Sequence, residues 1–489
     1  MMHVDGQGVS LAAFAGAMRV PVDLSVAETV EQRIASTHDR VIEIANSPDP
    51  VYGLNTGLGG NLGHRLAPGE IADFQFQIIA GRAVACGDPL PPEIGRGALL
   101  ARIISAANGF SGISPGIFGH LADIYRSGLA PLIPEFGSIG ASDLTQNAHL
   151  GLAVCGHGDF WADGQVVEAG TAFQQKNLSP PVLMPKDGLA MINHSGVTVA
   201  LSAQALTGAS TALDMLKQAA AMSYEGYGAN RQILSEEANT PRPAPGQMQA
   251  ATWFRRALDG STTAPRRVQE ALSFRGVAPL FGAADDAIAR ATSIAEDELN
   301  GTSDSPIIQE DGTMQSTPNF LSPALALALE AVAQAMTLVA SASVQRMQRL
   351  MDPDLSGLPK YLAPKGGASA GFIPSQKTAA ALLAEIRQGA SPAFVDPAPV
   401  SETVEDIAPM TPASARKLIR QLQPLELLAG LEAIVAAQAI DLRGRETCGS
   451  LASVLHPKLH AQIPFYDSDR SVGPDIPIAA AILRESVEA

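Results

Sequence analysis

"PALALALEAVAQAMTLVASASVQRMQRL", running from Pro323 to Leu350, is the stretch that decides the fold class. It is apolar around its whole circumference, and Glu330 and Gln334 interrupt its first half. A helix of this kind is either buried in a large bundle or set in a membrane. The internal glutamate and glutamine favour the bundle. The segments Val197–Tyr224, Gln376–Gln388 and Leu425–Arg443 share this character. Each is rich in alanine and leucine, with proline at or beyond its edges. No run alternates apolar and polar residues as successive strands would, and no strand–helix–strand rhythm occurs. The expectation is an all-α protein built on a long central helix bundle. Helices this apolar need cover on several sides, which implies an oligomer.

Composition bounds the rest. Of 489 residues, 46% are hydrophobic and 17% charged, enough for a large core and too apolar for disorder. Only 5% are aromatic, so small aliphatic side chains fill that core. A net charge of −16 disfavours nucleic acid and anionic membrane as partners. Cys86, Cys155 and Cys448 are too few and too scattered for a disulfide framework or a cysteine zinc site, and a reducing cytoplasm fits them best. The N-terminus has a short apolar patch with Asp5 and no Lys or Arg before it, unlike a signal peptide. Glycine and proline concentrate at Tyr52–Gly63, Phe110–Gly116, Gly137–Gly140, Pro241–Gly246 and Pro392–Pro412. These read as loops, where chemistry tends to sit. The first part is loop-rich and the second helix-rich, which predicts a division into residues 1–183 and 184–489.

Along the chain come YGLNTGLGG (Tyr52–Gly60), GSIGAS (Gly137–Ser142), DGLAMIN (Asp187–Asn193), RPAPGQ (Arg242–Gln247), VQEALSFR (Val268–Arg275) and TVEDIAPM (Thr403–Met410). Each motif is weak alone. Together and in this order they resemble the aromatic amino acid ammonia-lyases, the histidine ammonia-lyases most of all, over about Val51 to Arg445. The resemblance implies an all-α homotetramer of fumarase/aspartase-like architecture, with active sites assembled from three subunits and a small zwitterionic aromatic substrate. In that family an Ala-Ser-Gly tripeptide cyclises into a methylidene-imidazolone electrophile, and a tyrosine removes the substrate's β-proton.

Several positions depart from the family. Ala141-Ser142 is followed by Asp143, where ring closure calls for glycine, with its missing Cβ and access to strained backbone. The family's Asp-Leu-Ala-Pro becomes Asp143-Leu144-Thr145-Gln146, in a loop one residue shorter. Leu272 stands where a tyrosine is usual, NFLSP (Asn319–Pro323) lacks the usual polar residue, and Arg82 replaces a histidine. The expectation is that no methylidene-imidazolone forms at this degenerate site.

Other positions survive. Tyr52 matches the family's catalytic base; a phenol titrates near ~10 and acts as a base only where cations or hydrogen bonds favour phenolate. Arg275 matches the arginine that grips the substrate carboxylate, a task suited to a planar fork. Asn193 and Gln269 match polar residues around the substrate. Glu405 matches a glutamate near the imidazole of histidine-specific members, although Glu402, Glu405 and Asp406 also read as a solvated charge run. Lys377 is an addition where the register has an apolar residue near Glu405. In GFIPSQKTAAALLAEIRQ, Ser375 reads as a helix N-cap and Lys377 falls in the first turn, where the dipole disfavours a cation. The remaining histidines, His64, His149 and His194 among them, are read as lacking a metal-ligand spacing such as HxxxH, so no metal is expected.

A base and a carboxylate clamp kept while the electrophile is lost resembles the cofactor-free ergothionase branch of the family, which eliminates trimethylamine from ergothioneine to give thiourocanate. The resemblance gives Tyr52 the β-proton, Lys377 and Glu405 the ring, Arg275 the carboxylate, and Arg82 the sulfur or the carboxylate. An ordinary histidine ammonia-lyase and a catalytically inactive oligomeric homologue are the alternatives.

Overall fold

The structure is a computed structural model that describes residues 1–47, 54, 71–265, 267–309, 311–394, 399–401, 404–444 and 448–488. Its longest helices run Gly196–Tyr227, Val277–Asn300, Pro323–Leu350 and Thr411–Arg443. The described strands are two to four residues long and form small two- and three-stranded sheets. The fold is therefore all-α, as the apolar segments imply.

Two helices differ from the sequence reading. The helix expected from Leu425 begins at Thr411 and passes through Pro424. An internal proline removes one backbone bond and costs ~3 kcal/mol. Here Leu418, Leu425, Leu428, Ala429 and Leu431 are all completely buried, and one buried leucine contributes roughly 1.5–3 kcal/mol, so burial outweighs the break. Ser375 is not an N-cap: the helix Ser375–Gln388 follows Pro374, and the Ser375 hydroxyl donates back to the Phe372 carbonyl at 2.6 Å.

The chain forms two compact units, each assembled from three segments. One comprises Met1–Gln204, Thr292–Leu329 and Pro392–Arg416; the other comprises Ala205–Ala291, Glu330–Ser391 and Lys417–Ala489. The boundaries between these units fall within four long helices and at Ser391/Pro392, whereas the expected division lies at 183/184. Composition changes along the sequence, whereas compactness gathers segments that are distant in it.

In the first unit the helices Ile71–Ala80, Leu144–Val154 and Asp187–Ile192 pack together. Gly188 makes the approach possible: a Cβ there would collide with the Gln75 carbonyl, and the Gly188 N–H donates to Gln75 Oε1 at 2.9 Å. The conspicuous aspartate of the DGLAMIN motif is structural. Asp187 accepts from Ser114 N and Oγ at 2.8 Å each and from Met184 N at 2.7 Å, and burial pushes its carboxyl up to about 6. Nearby, Arg102 and Asp304 form a buried ion pair at 2.8 Å. Burial pushes Glu298, on the helix Val277–Asn300, up to about 7, with Asp143 raising it further and Ser195 pulling it back.

The second unit is built on another buried pair. Arg346 Nε and Nη2 donate to Glu432 at 2.6 and 2.8 Å, and both side chains are fully buried. Ser223 Oγ donates to the same carboxylate at 2.8 Å, and Arg346 Nη1 reaches the Ser273 carbonyl at 3.3 Å. Glu330, the glutamate that interrupts the Pro323–Leu350 segment, is buried and paired with Lys417 at 2.7 Å. By length and composition this helix is apolar enough to cross a membrane. Its buried ions have protein partners, as core helices require.

Two outcomes follow from these buried charges. Glu432→Gln leaves Arg346 uncompensated and should destabilise the protein by about 3–5 kcal/mol in urea unfolding, whereas replacing both partners with apolar residues should cost far less. Glu298 has a folded value of about 7 against an ordinary 4.5, so its stabilisation is complete below 4.5 and is lost as pH rises through about 7. Glu298→Gln should flatten the fall in stability between about pH 4.5 and 7, with a ceiling of about 3 kcal/mol.

Candidate active site

The degenerate tripeptide opens a helix and is held from every side. Gly140 has φ +82°, and a Cβ there would stand 2.9 Å from the Thr411 nitrogen, so glycine is required. Ser142 and Asp143 follow at φ +59° and +45°, a left-handed pair that is unusual for non-glycine residues and costs on the order of 1–3 kcal/mol each. The surroundings enforce it. Ala141 bridges to Leu321, the Ser142 N–H donates to the Phe320 carbonyl at 3.0 Å, and Asn147 Nδ2 donates to the Ser142 carbonyl at 3.1 Å.

Asp143 is the residue around which this loop is organised. It immediately precedes the helix Leu144–Val154 but does not cap it with its side chain. Its carboxyl instead sits at the start of the helix Gly196–Tyr227, accepting from Thr198 N and Thr198 Oγ1 at 2.7 Å each and from Ser138 Oγ at 2.5 Å. Acidic side chains are favoured at a helix N-terminus, where unpaired N–H groups and the dipole meet them. Burial pushes the carboxyl up, and the bonds from Ser138 and Thr198 pull it back. Thr198 and Ser138 were not singled out in the sequence: Thr198 belongs to no recognisable motif, and Ser138, although within GSIGAS, carries no sign of its partner.

The other expected residues of this unit lie at element ends. Asn193 follows the helix Asp187–Ile192, nearly buried, and donates to the Ser305 carbonyl at 2.6 Å. Arg82 follows the helix Ile71–Ala80, and its Nη1 donates to the Ile78 carbonyl at 3.2 Å. An arginine at a helix C-terminus is a stabilising arrangement in itself. Glu405 is half-buried in a tight turn: Val400 and Glu405 exchange backbone bonds at 3.0 and 3.3 Å, and Ser401 Oγ donates to Glu405 Oε2 at 2.8 Å. That bond is solvent-exposed, as is the neighbouring Asp406.

The second unit carries the remaining three. Gln269 and Arg275 touch each other through a hydrogen bond from Arg275 Nη1 to Gln269 Oε1, and both are exposed. Arg275 closes the short helix Leu272–Arg275, whose anchor is Phe274. That ring is fully buried, stacked on Tyr227 at 4.2 Å between centroids and edge-on to Tyr224 at 5.7 Å. The anchor leaves Leu272 and Val268 outside, 74% and 92% exposed. Lys377 is exposed in the first turn of the helix Ser375–Gln388, as expected. Tyr52 lies outside the described residues. Asn193, Glu405, Arg82 and residues 141–143 thus belong to one unit, and Gln269, Arg275 and Lys377 to the other.

The histidine reading needs one correction. His456 and His460 do stand four residues apart, on the helix Ser450–His460, and Asp441 lies against both.

A model of the aromatic amino acid lyases matches residues 9–463. Among curated proteins, the histidine ammonia-lyase of Deinococcus radiodurans is 33% identical over 477 residues, 96% of this chain and 91% of its own length. That of Vibrio cholerae is 33% identical over 501 residues, 100% of this chain and 97% of its own. Among solved structures, the ergothioneine-degrading ergothionase of Treponema denticola, in complex with desmethyl-ergothioneine sulfonic acid, superimposes with a TM-score of 0.95 at 28% identity, covering 99% of both chains. The histidine ammonia-lyase of Trypanosoma cruzi gives 0.90 at 28% identity, covering 99% of this chain and 94% of its own. Motif order, helix architecture and a match over nearly the whole length agree, and the chain belongs to the aromatic amino acid lyase family as a carbon–nitrogen lyase.

Proposed function

We propose that this lyase eliminates trimethylamine from ergothioneine to give thiourocanate, or from a closely related trimethylated histidine betaine to give the corresponding urocanate, and does so without a methylidene-imidazolone. The observation that carries the reading is the placement of Asp143. Ring closure needs the amide of residue 143 to attack the Ala141 carbonyl, a task suited to glycine. Residue 143 instead carries a buried side chain bonded to Ser138 and Thr198, while the backbone of 141–142 is pinned to Phe320, Leu321 and Asn147. These residues do not fit the cyclised group. The likeness to the ergothionase structure supports the same reading.

The chemistry is balanced without an electrophile. A quaternary trimethylammonium has no lone pair to be captured and leaves as a neutral amine. In the proposed step Tyr52 takes the β-proton, the C–H electrons form the double bond, and the C–N pair departs with trimethylamine. Lys377 and Glu405 polarise the thioimidazole ring and acidify the adjacent CH₂. Arg275 holds the carboxylate, with Gln269 bonded to it, Asn193 orients the substrate, and Arg82 faces the sulfur or the carboxylate.

The proposed enzyme is a cytoplasmic homotetramer with shared active sites. Exposed apolar side chains beside the candidate residues support this: Val268 and Leu272 flank Gln269 and Arg275, and Val404 and Ile407, 81% and 70% exposed, flank Glu405. Scattered single residues of this kind are ordinary, but their placement beside polar candidate residues marks surfaces that another copy would cover. Three scattered cysteines, Cys86, Cys155 and Cys448, suit a reducing compartment.

A second reading is favoured by the names of the curated relatives. A histidine ammonia-lyase would form urocanate and ammonia through a cyclised 141–143. Two measurements separate them. Purified protein should release trimethylamine from ergothioneine or hercynine and no ammonia from histidine, and the peptide spanning residues 141–143 should show its full mass; ammonia from histidine together with a dehydrated peptide would overturn the proposal. Tyr52→Phe should lower kcat by about 10²–10⁴-fold with a small change in KM. Arg275→Lys should act mainly on KM, raising it by about 10–100-fold as the two-pronged carboxylate contact is lost.

A further inference from the structure

Asp441, near the end of the helix Thr411–Arg443, meets two histidines presented by one face of the helix Ser450–His460. Residues four apart on a helix are neighbours, so His456 and His460 present their Nε2 atoms together. His456 Nε2 stands 3.0 Å from Asp441 Oδ1, His460 Nε2 stands 2.6 Å from Asp441 Oδ2, and the two Nε2 atoms are 3.1 Å apart. All three residues belong to the second compact unit, and nothing in the proposed lyase chemistry uses them.

The protonation of His460 is fixed by its other nitrogen. Nδ1 lies 3.0 Å from the Ile463 carbonyl oxygen, which can only accept, so Nδ1 carries a proton. In the neutral ring Nε2 is then a bare lone pair, facing a carboxylate oxygen and a second imidazole nitrogen. A carboxylate and two Nε2 atoms thus lie together, a donor set that can hold a cation once His456 presents its Nε2 lone pair. A carbonyl accepting from the far nitrogen of a ligating histidine is the usual orienting contact at metal sites.

The donor set selects the ion. Two imidazoles and one carboxylate suit a borderline divalent ion of the zinc class and do not suit calcium or magnesium, which take oxygen ligands. Tetrahedral zinc with bonds of about 2.0–2.1 Å places its ligand atoms about 3.3 Å apart. The observed separations of 2.6, 3.0 and 3.1 Å are tighter by about 0.2–0.7 Å, within the reach of side-chain rotations. We infer that Asp441, His456 and His460 form a three-ligand site for one first-row divalent transition-metal ion, with water as the fourth ligand, that staples the helix Thr411–Arg443 to the helix Ser450–His460. Its part is structural: the ion ties together two helices, and binding that occurs only in the folded state adds to stability. The competing arrangement is a metal-free clamp in which a doubly protonated His460 and His456 both donate to Asp441.

The test uses the full-length protein, stripped with EDTA and titrated with ZnCl₂. One zinc per chain should bind with micromolar or tighter affinity and raise the thermal midpoint, and CoCl₂ should give the visible absorption of a four-coordinate site. His460→Gln and Asp441→Asn should each weaken zinc binding by at least about 100-fold. Both stay within reach because these side chains are only partly buried, 21% and 12% exposed. Zinc should also protect His460 of the unaltered protein from diethyl pyrocarbonate, read by peptide mass, a result that does not depend on any variant folding. Absence of stoichiometric zinc binding would overturn the inference in favour of the protonated clamp. So would equal binding by the unaltered protein and both variants, or modification of His460 unchanged by zinc.

Discussion

A carboxyl group buried at the head of a long helix is the constraint on which the candidate site depends. Asp143 has almost no solvent contact, so its acceptor capacity has to be met by protein. The backbone N–H and hydroxyl of Thr198 and the hydroxyl of Ser138 meet it. Because those donors are fixed, Asp143 and Ser142 are held left-handed, and the loop from Gly140 meets Phe320, Leu321 and Thr411 in one register. The same carboxyl raises Glu298, which links the Val277–Asn300 helix to this point electrostatically. Asp143, which follows Ser142 directly with no glycine between them, is thus a structural junction between segments distant along the chain.

The fold was legible where burial leaves a one-dimensional trace. Pro323–Leu350 is a helix with the bounds its apolar run suggested, and Gly196–Tyr227 extends the expected Val197–Tyr224 by a few residues. The reading failed where tertiary packing overrides a local rule. Pro424 stops a helix by local sterics, yet Thr411–Arg443 continues because its apolar face is fully enclosed. The helix Val277–Asn300 was not anticipated, since VAPLFGAADDAIARATSIAEDELN carries Gly282, Pro279 and a polar, acidic face. Its buried positions Phe281, Ala284, Ala291, Ala295 and Leu299 follow the helical period, but alanines carry little of the hydrophobic signal that a periodicity search detects.

Candidate site residues were legible by motif and not by partner. Arg275, Gln269, Asn193 and Glu405 could be picked out because the family register numbers them. What each one touches was invisible, because Ser305, Ser401 and Ile78 belong to no motif. The opposite failure occurred at His456 and His460. Their spacing is plain in HPKLH, but the third partner, Asp441, is separated from them along the chain and only the packing of two helices brings it near. Spacing identifies a ligand pair, and the fold supplies its completion.

Sorting the polar residues by how the chain satisfies them separates structure from proposed chemistry. Asp143, Asp187, Asp304, Arg102, Arg346 and Glu432 are buried and bonded within their own unit. Removing water from an ion costs several kcal/mol, and such groups persist only where the fold supplies matched partners. Arg275, Gln269 and Lys377 are exposed, and Glu405 is half-buried. Exposed ionic groups beside exposed apolar side chains gain little for the fold of one chain, since surface pairs contribute about 0–1 kcal/mol. On the proposed reading they acquire their value when another copy excludes water and a zwitterionic substrate supplies the missing countercharges. Electrostatic contacts strengthen as the local dielectric falls, so the same arginine that is nearly neutral to folding becomes a strong carboxylate clamp in the closed site. In that account no electrophile forms, Asp143 serves the scaffold, and the groups left for chemistry are those the scaffold does not need.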